Sequence, residues 1–132
     1  MRGQISFEYL LLTGLIMLFL APIFYYSVYT ATYNIKMNEA SNLVKSIADT
    51  ADILYSLGPD SQNTIEITMP SGVQNMSINN TEVLVVIQIF KGVSYIGMDT
   101  KTNISGNIST KSGTYHITLK NENNTIKVTS GY

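Results

Sequence analysis

Between Glu8 and Lys36 the chain carries no charged residue, and this one feature constrains its fold more than any other. A helix of about 20 mainly apolar residues crosses the hydrocarbon core of a bilayer, and the run that starts at Tyr9 exceeds that length. Read as helix, the segment continues to Ser56 and is apolar in its first half. One carboxylate, Glu8, is set into the apolar start. A charge at membrane depth is costly unless it finds a partner, so a plain lipid anchor leaves Glu8 without a purpose. A cleaved secretory signal fits no better. Its apolar region spans about 7–15 residues and ends in a small-x-small site, whereas here the stretch runs on through Ile23-Phe24-Tyr25-Tyr26 with no Ala-x-Ala ending.

Composition narrows the class of the remainder. The 132 residues allow one modest globular domain beside the apolar helix. Net charge is −1 and the eight basic residues are scattered, so no nucleic-acid partner is expected. Charged residues make up 13%, against roughly 25% in average soluble proteins. Asn, Ser and Thr carry the polarity instead, which suits a surface outside the cell. Without cysteine there is neither a disulfide framework nor a thiolate metal site. A small exported domain of this kind must be stabilised by its sheet, its oligomer, or both.

Directly after Arg2-Gly3, the residues Gln4, Ser6, Glu8 and Leu12 spell Q-x-S-x-E-x-x-x-L. This resembles the class III signal of archaeal (euryarchaeal) type IV pilins. The resemblance covers nine residues and the apolar run around them; in the rest of the chain it is architectural only. It implies a leader of residues 1–3, cut between Gly3 and Gln4 by a prepilin-peptidase-like enzyme, and export through a pilus assembly platform. It also implies that the apolar helices leave the membrane and pack into the core of a filament. Such packing replaces lipid contact with protein contact and depends on close side-chain fit. Glu8 would then face a cation, the nearest being the new α-amino group of Gln4, its own or a neighbour's. In a dry core such a pair mainly sets axial register, because desolvation offsets much of the attraction. Cyclisation of Gln4 to pyroglutamate would erase the amine and leave Glu8 to N–H donors or a proton. Ser6 is expected to bond its own helix backbone.

Pro22 sits mid-helix, where it removes the hydrogen bond to the Leu18 carbonyl. A kink or short melted stretch is expected there, either as a tolerated membrane proline or as a place to bend during packing. Phe24, Tyr25, Tyr26, Tyr29 and Tyr33 form an aromatic cluster of the kind found at membrane interfaces; packing, rather than electron conduction, accounts for it. From Asn34 the pattern is amphipathic. Ala40, Leu43, Val44, Ile47, Ala51, Leu54 and Leu57 recur at three- and four-residue steps, with Lys36, Glu39, Lys45, Asp49 and Asp52 on other faces. Gly58-Pro59 supplies the stop. The helix over residues 4–57 divides into a membrane or filament core over 9–33 and an amphipathic part over 34–57. If continuous, it is roughly 80 Å long.

Residues 58–132 read as a β-rich head. Strands are expected at Thr64–Met69, Val73–Ile78, Glu82–Phe90, Val93–Met98, around Thr102–Ile108, Thr114–Lys120 and Thr125–Thr129. The nearly all-apolar Glu82–Phe90 reads as the central strand, Lys91-Gly92 as a turn, and Asn121-Glu122-Asn123-Asn124 as another. The fold class is α+β, a long N-terminal helix packed on a small antiparallel sheet or sandwich. The head is small for a free-standing core, so the apolar face of residues 40–57 should complete it.

The head holds the acceptor tripeptides Asn75-Met76-Ser77, Asn79-Asn80-Thr81, Asn103-Ile104-Ser105, Asn107-Ile108-Ser109 and Asn123-Asn124-Thr125. Each is weak alone; together they agree with N-linked glycans, favoured where the asparagine lies in a turn. Asn103 and Asn107 fall in or beside an expected strand, so they are edge positions or that strand is misplaced. Catalysis finds little support. His116 is the single histidine, in an alternating strand pattern. No nucleophile-base set, paired carboxylates or phosphate loop appears, and Asp49, Asp52, Asp60 and Asp99 match no ion loop. Gly97, Gly106 and Gly113 read as turns or bulges. No cofactor is expected.

The expectation is therefore a non-enzymatic structural subunit of an archaeal type IV pilus, a homo-oligomeric surface filament for adhesion, resident in the cytoplasmic membrane before assembly. Its rivals are a minor pilin or archaellin-like subunit, and an uncleaved, membrane-tethered monomer with a carbohydrate- or surface-binding head.

Overall fold

The computed structural model describes residues 2–90 and 92–131. Met1 of the expected leader and Lys91 of the expected Lys91-Gly92 turn lie outside them. Helix α1 spans Arg2–Leu57, and seven strands follow: β1 Gln62–Met69, β2 Val73–Asn79, β3 Glu82–Ile89, β4 Gly92–Asp99, β5 Asn103–Gly106, β6 Gly113–Glu122 and β7 Thr125–Ser130. The chain divides into two compact units, Met1–Ile35 and Lys36–Tyr132, a boundary that falls inside α1.

The first unit is helix alone. Helical structure continues through Pro22, so no melted stretch interrupts it. The threonine hydroxyls of this unit bond locally. Thr13 Oγ1 donates to the Tyr9 carbonyl at 2.8 Å, Thr30 Oγ1 to Tyr26 at 2.9 Å and Thr32 Oγ1 to Val28 at 3.0 Å. Each hydroxyl is thereby satisfied within its own helix, the condition for placing it in an apolar medium.

The second unit is one seven-stranded sheet with the last turns of α1 on one face. Ala40, Leu43, Val44, Ile47, Ala51 and Leu54 of the helix are buried, as their spacing requires, and Ala48 joins them. Leu57, expected in the same stripe, is 70% exposed. The helix ends there, and while Leu54 of its last turn is buried in the core, the Leu54 carbonyl is met by Asn121 and Ser61. Opposite the helix stripe stand Ile67, Met69, Ile78, Val83, Val85, Ile87, Ile104, Ile117, Leu119, Ile126 and Val128, all buried. The alternate strand residues Thr64, Glu66, Ser77, His116, Lys127 and Thr129 are exposed, which leaves the second sheet face uncovered. A single covered sheet, rather than a sandwich, is the architecture.

Strand order is β1-β6-β7-β5-β2-β3-β4. All neighbours are antiparallel except β5 and β7, which run parallel. The apolar strand β3 is therefore not central but next to the edge. Its second apolar row has another cause: Leu84 and Val86 lie half-buried on the open face, where Val86 faces Tyr95 of β4. The centre is occupied by β5, the shortest strand. Its Gly106 is neither turn nor bulge. A Cβ there would stand 2.5 Å from the Val128 carbonyl oxygen and 2.6 Å from the Val128 Cβ, so the close approach of β5 to β7 requires glycine. Gly97 and Gly113 likewise lie within strands, β4 and β6.

Candidate functional site

Two regions carry the residues singled out by sequence: the start of α1 and the open face of the head. At the start of α1, Gly3, Gln4, Ser6, Glu8 and Leu12 are all helical and exposed. Glu8 lines an open groove with Ile5, Tyr9 and Leu12. Among the residues whose side chains the structure describes, no cation is within ion-pair distance of it. The exposure extends along the helix, with Leu10 at 71%, Leu18 at 70% and Tyr25 at 76%. The helix is long and apolar enough to cross a membrane, and no residue of the apolar window is buried within the chain. By the area bookkeeping of about 25 cal/mol per Å², leaving so many large apolar side chains in water is strongly unfavourable. Such a surface calls for a lipid or protein environment.

On the head the five sequon asparagines are all exposed. Asn75 follows a bulge in β2, and Asn79 ends that strand, its Oδ1 accepting from the Asn80 N–H at 2.9 Å. Asn103 opens β5 opposite Thr125, and Asn107 follows β5 directly. Asn123, with φ of 52°, sits in the β6–β7 turn. The choice between edge position and misplaced strand is resolved differently from either expectation. Asn103 belongs to the innermost strand yet is exposed on the uncovered face, so a strand interior leaves it accessible.

The expected Asn121–Asn124 turn is shorter than its sequence suggested, because Asn121 and Glu122 belong to β6. Asn121 is fully buried. Its Nδ2 donates to the carbonyls of Leu54 at 3.2 Å and Gly58 at 3.0 Å. Its backbone accepts from the Asp60 N–H and donates to the Ser61 carbonyl. Four bonds thus fasten the end of α1 and the connection that follows it to β6, with Gly58 at φ 94° turning the chain. Period-two continuation from Ile117 through Leu119 to Asn121 was the available signal for this residue. Asp52 acts similarly on the β4–β5 connection, accepting from the Lys101 N–H at 2.8 Å.

His116 is exposed beside Glu66, 3.8 Å away. A groove formed by Ser109, Lys111, Tyr115, His116 and Ser130 lies next to it. Among the described residues no group of three or more His, Cys, Asp or Glu side chains could hold a metal ion. Glu122 has its carboxyl held below the ordinary value of 4.5, chiefly by the Lys127 ammonium at 2.6 Å and then by Lys120 at 3.3 Å.

No family model, no curated protein and no solved structure matches this chain.

Proposed function

We propose that this chain is a structural subunit of an archaeal type IV pilus, cut between Gly3 and Gln4 and polymerised through the apolar part of α1 into an adhesive surface filament. The observation that carries the reading is the division of labour along α1. The head completes its core with helix residues from Met37 onward, so the apolar residues before Val28 are not consumed by the chain's own fold. They are available to a bilayer first and to sister helices afterwards. Glu8 fits the second environment better than the first, because a neighbouring subunit can offer the Gln4 amine whereas lipid tails cannot. The exposed sequon asparagines support N-linked glycans on the head. The prepilin peptidase and assembly platform are the partners that this route requires.

The test is the N-terminal mass of the native protein combined with Glu8→Gln. Loss of residues 1–3, and surface fibres that contain the chain but disappear in Glu8→Gln while membrane insertion is unchanged, are expected. An intact N-terminus on a monomeric membrane protein would establish a tethered exoprotein instead. Normal fibres from Glu8→Gln would remove the role given to that carboxylate.

A further inference from the structure

We infer that β4 is an assembly edge whose occupant is β1 of a second copy of this chain, paired antiparallel so that the sheet of one head continues into the next. The inference rests on the filament reading, which supplies the second copy.

Sheet edges present unpaired N–H and C=O groups, and proteins ordinarily guard them with charges, prolines, bulges or brevity. β4 has none of these guards before its last residue. Its eight residues, Gly92–Asp99, carry no charge before Asp99 and no proline. They pair with β3 without a register shift. Val93, Tyr95 and Met98 are 43%, 70% and 39% exposed. An edge left in this state is covered in the working assembly.

Symmetry selects the occupant. Subunits of a helical filament meet through unlike surfaces, since a like-to-like contact needs a twofold axis. β4 therefore requires a different edge, and among the described residues β1 is the strand at the opposite end of the sheet. β1 is also eight residues long. Following the pairings from strand to strand, β6 opposes β1, β7 and β5 run with β1, β2 opposes it, β3 runs with it and β4 opposes it. A neighbouring head brought alongside without inversion consequently presents its β1 antiparallel to β4. The side chains agree. On the helix side, Ile96 and Met98 would meet Ile65 and Ile67; on the open side, Val93 and Tyr95 would meet Thr64 and Glu66, pairs of the kind that stabilise sheets. Glycans would not obstruct the joint, because Asn75, Asn79, Asn103, Asn107 and Asn123 all lie off both edge strands.

The chain has no cysteine, which makes disulfide trapping clean. Six strand spacings of about 4.8 Å separate β1 from β4 in one head, far beyond disulfide reach. Only an intermolecular bridge can form. Tyr95→Cys combined in turn with Thr64→Cys, Glu66→Cys or Thr68→Cys, in the full chain and in isolated surface fibres, should give a ladder of covalent multimers on non-reducing denaturing gels in at least one pair. The single variants should remain monomeric. Fibres that contain the chain but give no ladder with any pair would overturn the inference while leaving the filament reading intact. Dimers from Tyr95→Cys alone would overturn it in favour of a β4–β4 contact. Absence of the chain from fibres would overturn the reading and the inference together.

Discussion

The side-chain amide of Asn121 donates a 3.2 Å hydrogen bond to the carbonyl of Leu54, 67 positions earlier, and so fastens β6 to the last turn of α1. A helix end leaves its final carbonyls without intrahelical donors. Here Ser61 Oγ reaches the same two carbonyls as Asn121, Leu54 at 2.9 Å and Gly58 at 2.7 Å. With one hydroxyl proton, Ser61 can fully serve only one of them; the two amide protons of Asn121 cover both.

The two side chains should therefore back each other up. Asn121→Ala is expected to cost about 1–3 kcal/mol and Ser61→Ala about 1 kcal/mol. The double variant should cost more than the sum, because only then do buried carbonyls lose every donor. Denaturant melts of the full chain in detergent, arranged as a double-mutant cycle, measure the coupling. Strict additivity would show that the carbonyls find other donors.

Gly106→Ala should destabilise the head by about 1–3 kcal/mol, the usual cost of forcing an extra carbon into a packed site. The obstacle is the carbonyl of Val128, which cannot rotate away as a side chain would. Gly92→Ala is the control, since nothing lies within 4 Å of its added Cβ. Thermal melts of both variants should separate clearly.

Ile47→Ala should cost about 2–5 kcal/mol, because it empties a fully buried position between helix and sheet. Leu57→Ala, at the exposed end of the same helix, should change stability by about 0.5 kcal/mol or less. Equal effects would mean that the stripe extends one turn further than the structure shows.

The Glu122 carboxylate is exposed enough that its ion pairs with Lys127 and Lys120 contribute little, but their sign is testable. Its folded-state pKa is lowered, so the contribution is present above the unfolded-state pKa and fades as pH falls through the lowered folded value. Glu122→Gln should lower the melting temperature slightly at neutral pH, with the difference closing in acid. A difference that persists at low pH would assign the effect to something other than charge.

Much of this architecture was legible in the residue pattern, and the exceptions have physical causes. The helix was readable from the charge-free run and the stripe at Ala40–Leu54, and its stop from Gly58-Pro59. Strand existence followed from alternation and turn residues. Strand order did not, since Glu82–Ile89 is apolar on both faces whether it lies at the centre or beside an edge strand carrying Tyr95. The parallel pairing of β5 with β7 links segments of weak β pattern, and only the tertiary fold reveals it. Asn121 was hidden by composition, because an asparagine among Glu122, Asn123 and Asn124 reads as turn until its burial is known. At the start of α1, the charge pattern around Glu8 and the exposed apolar surface point the same way.

The position of β7 governs when the head can become whole. Among the described residues β7 alone joins β1–β6 to β5–β2–β3–β4, yet it follows the other six strands in the chain. Until β7 slides between them, the chain holds two half-sheets with raw margins and no backbone hydrogen bonds from one to the other. A chain halted after Asn124 should never unite the halves, and an added protease would meet it open.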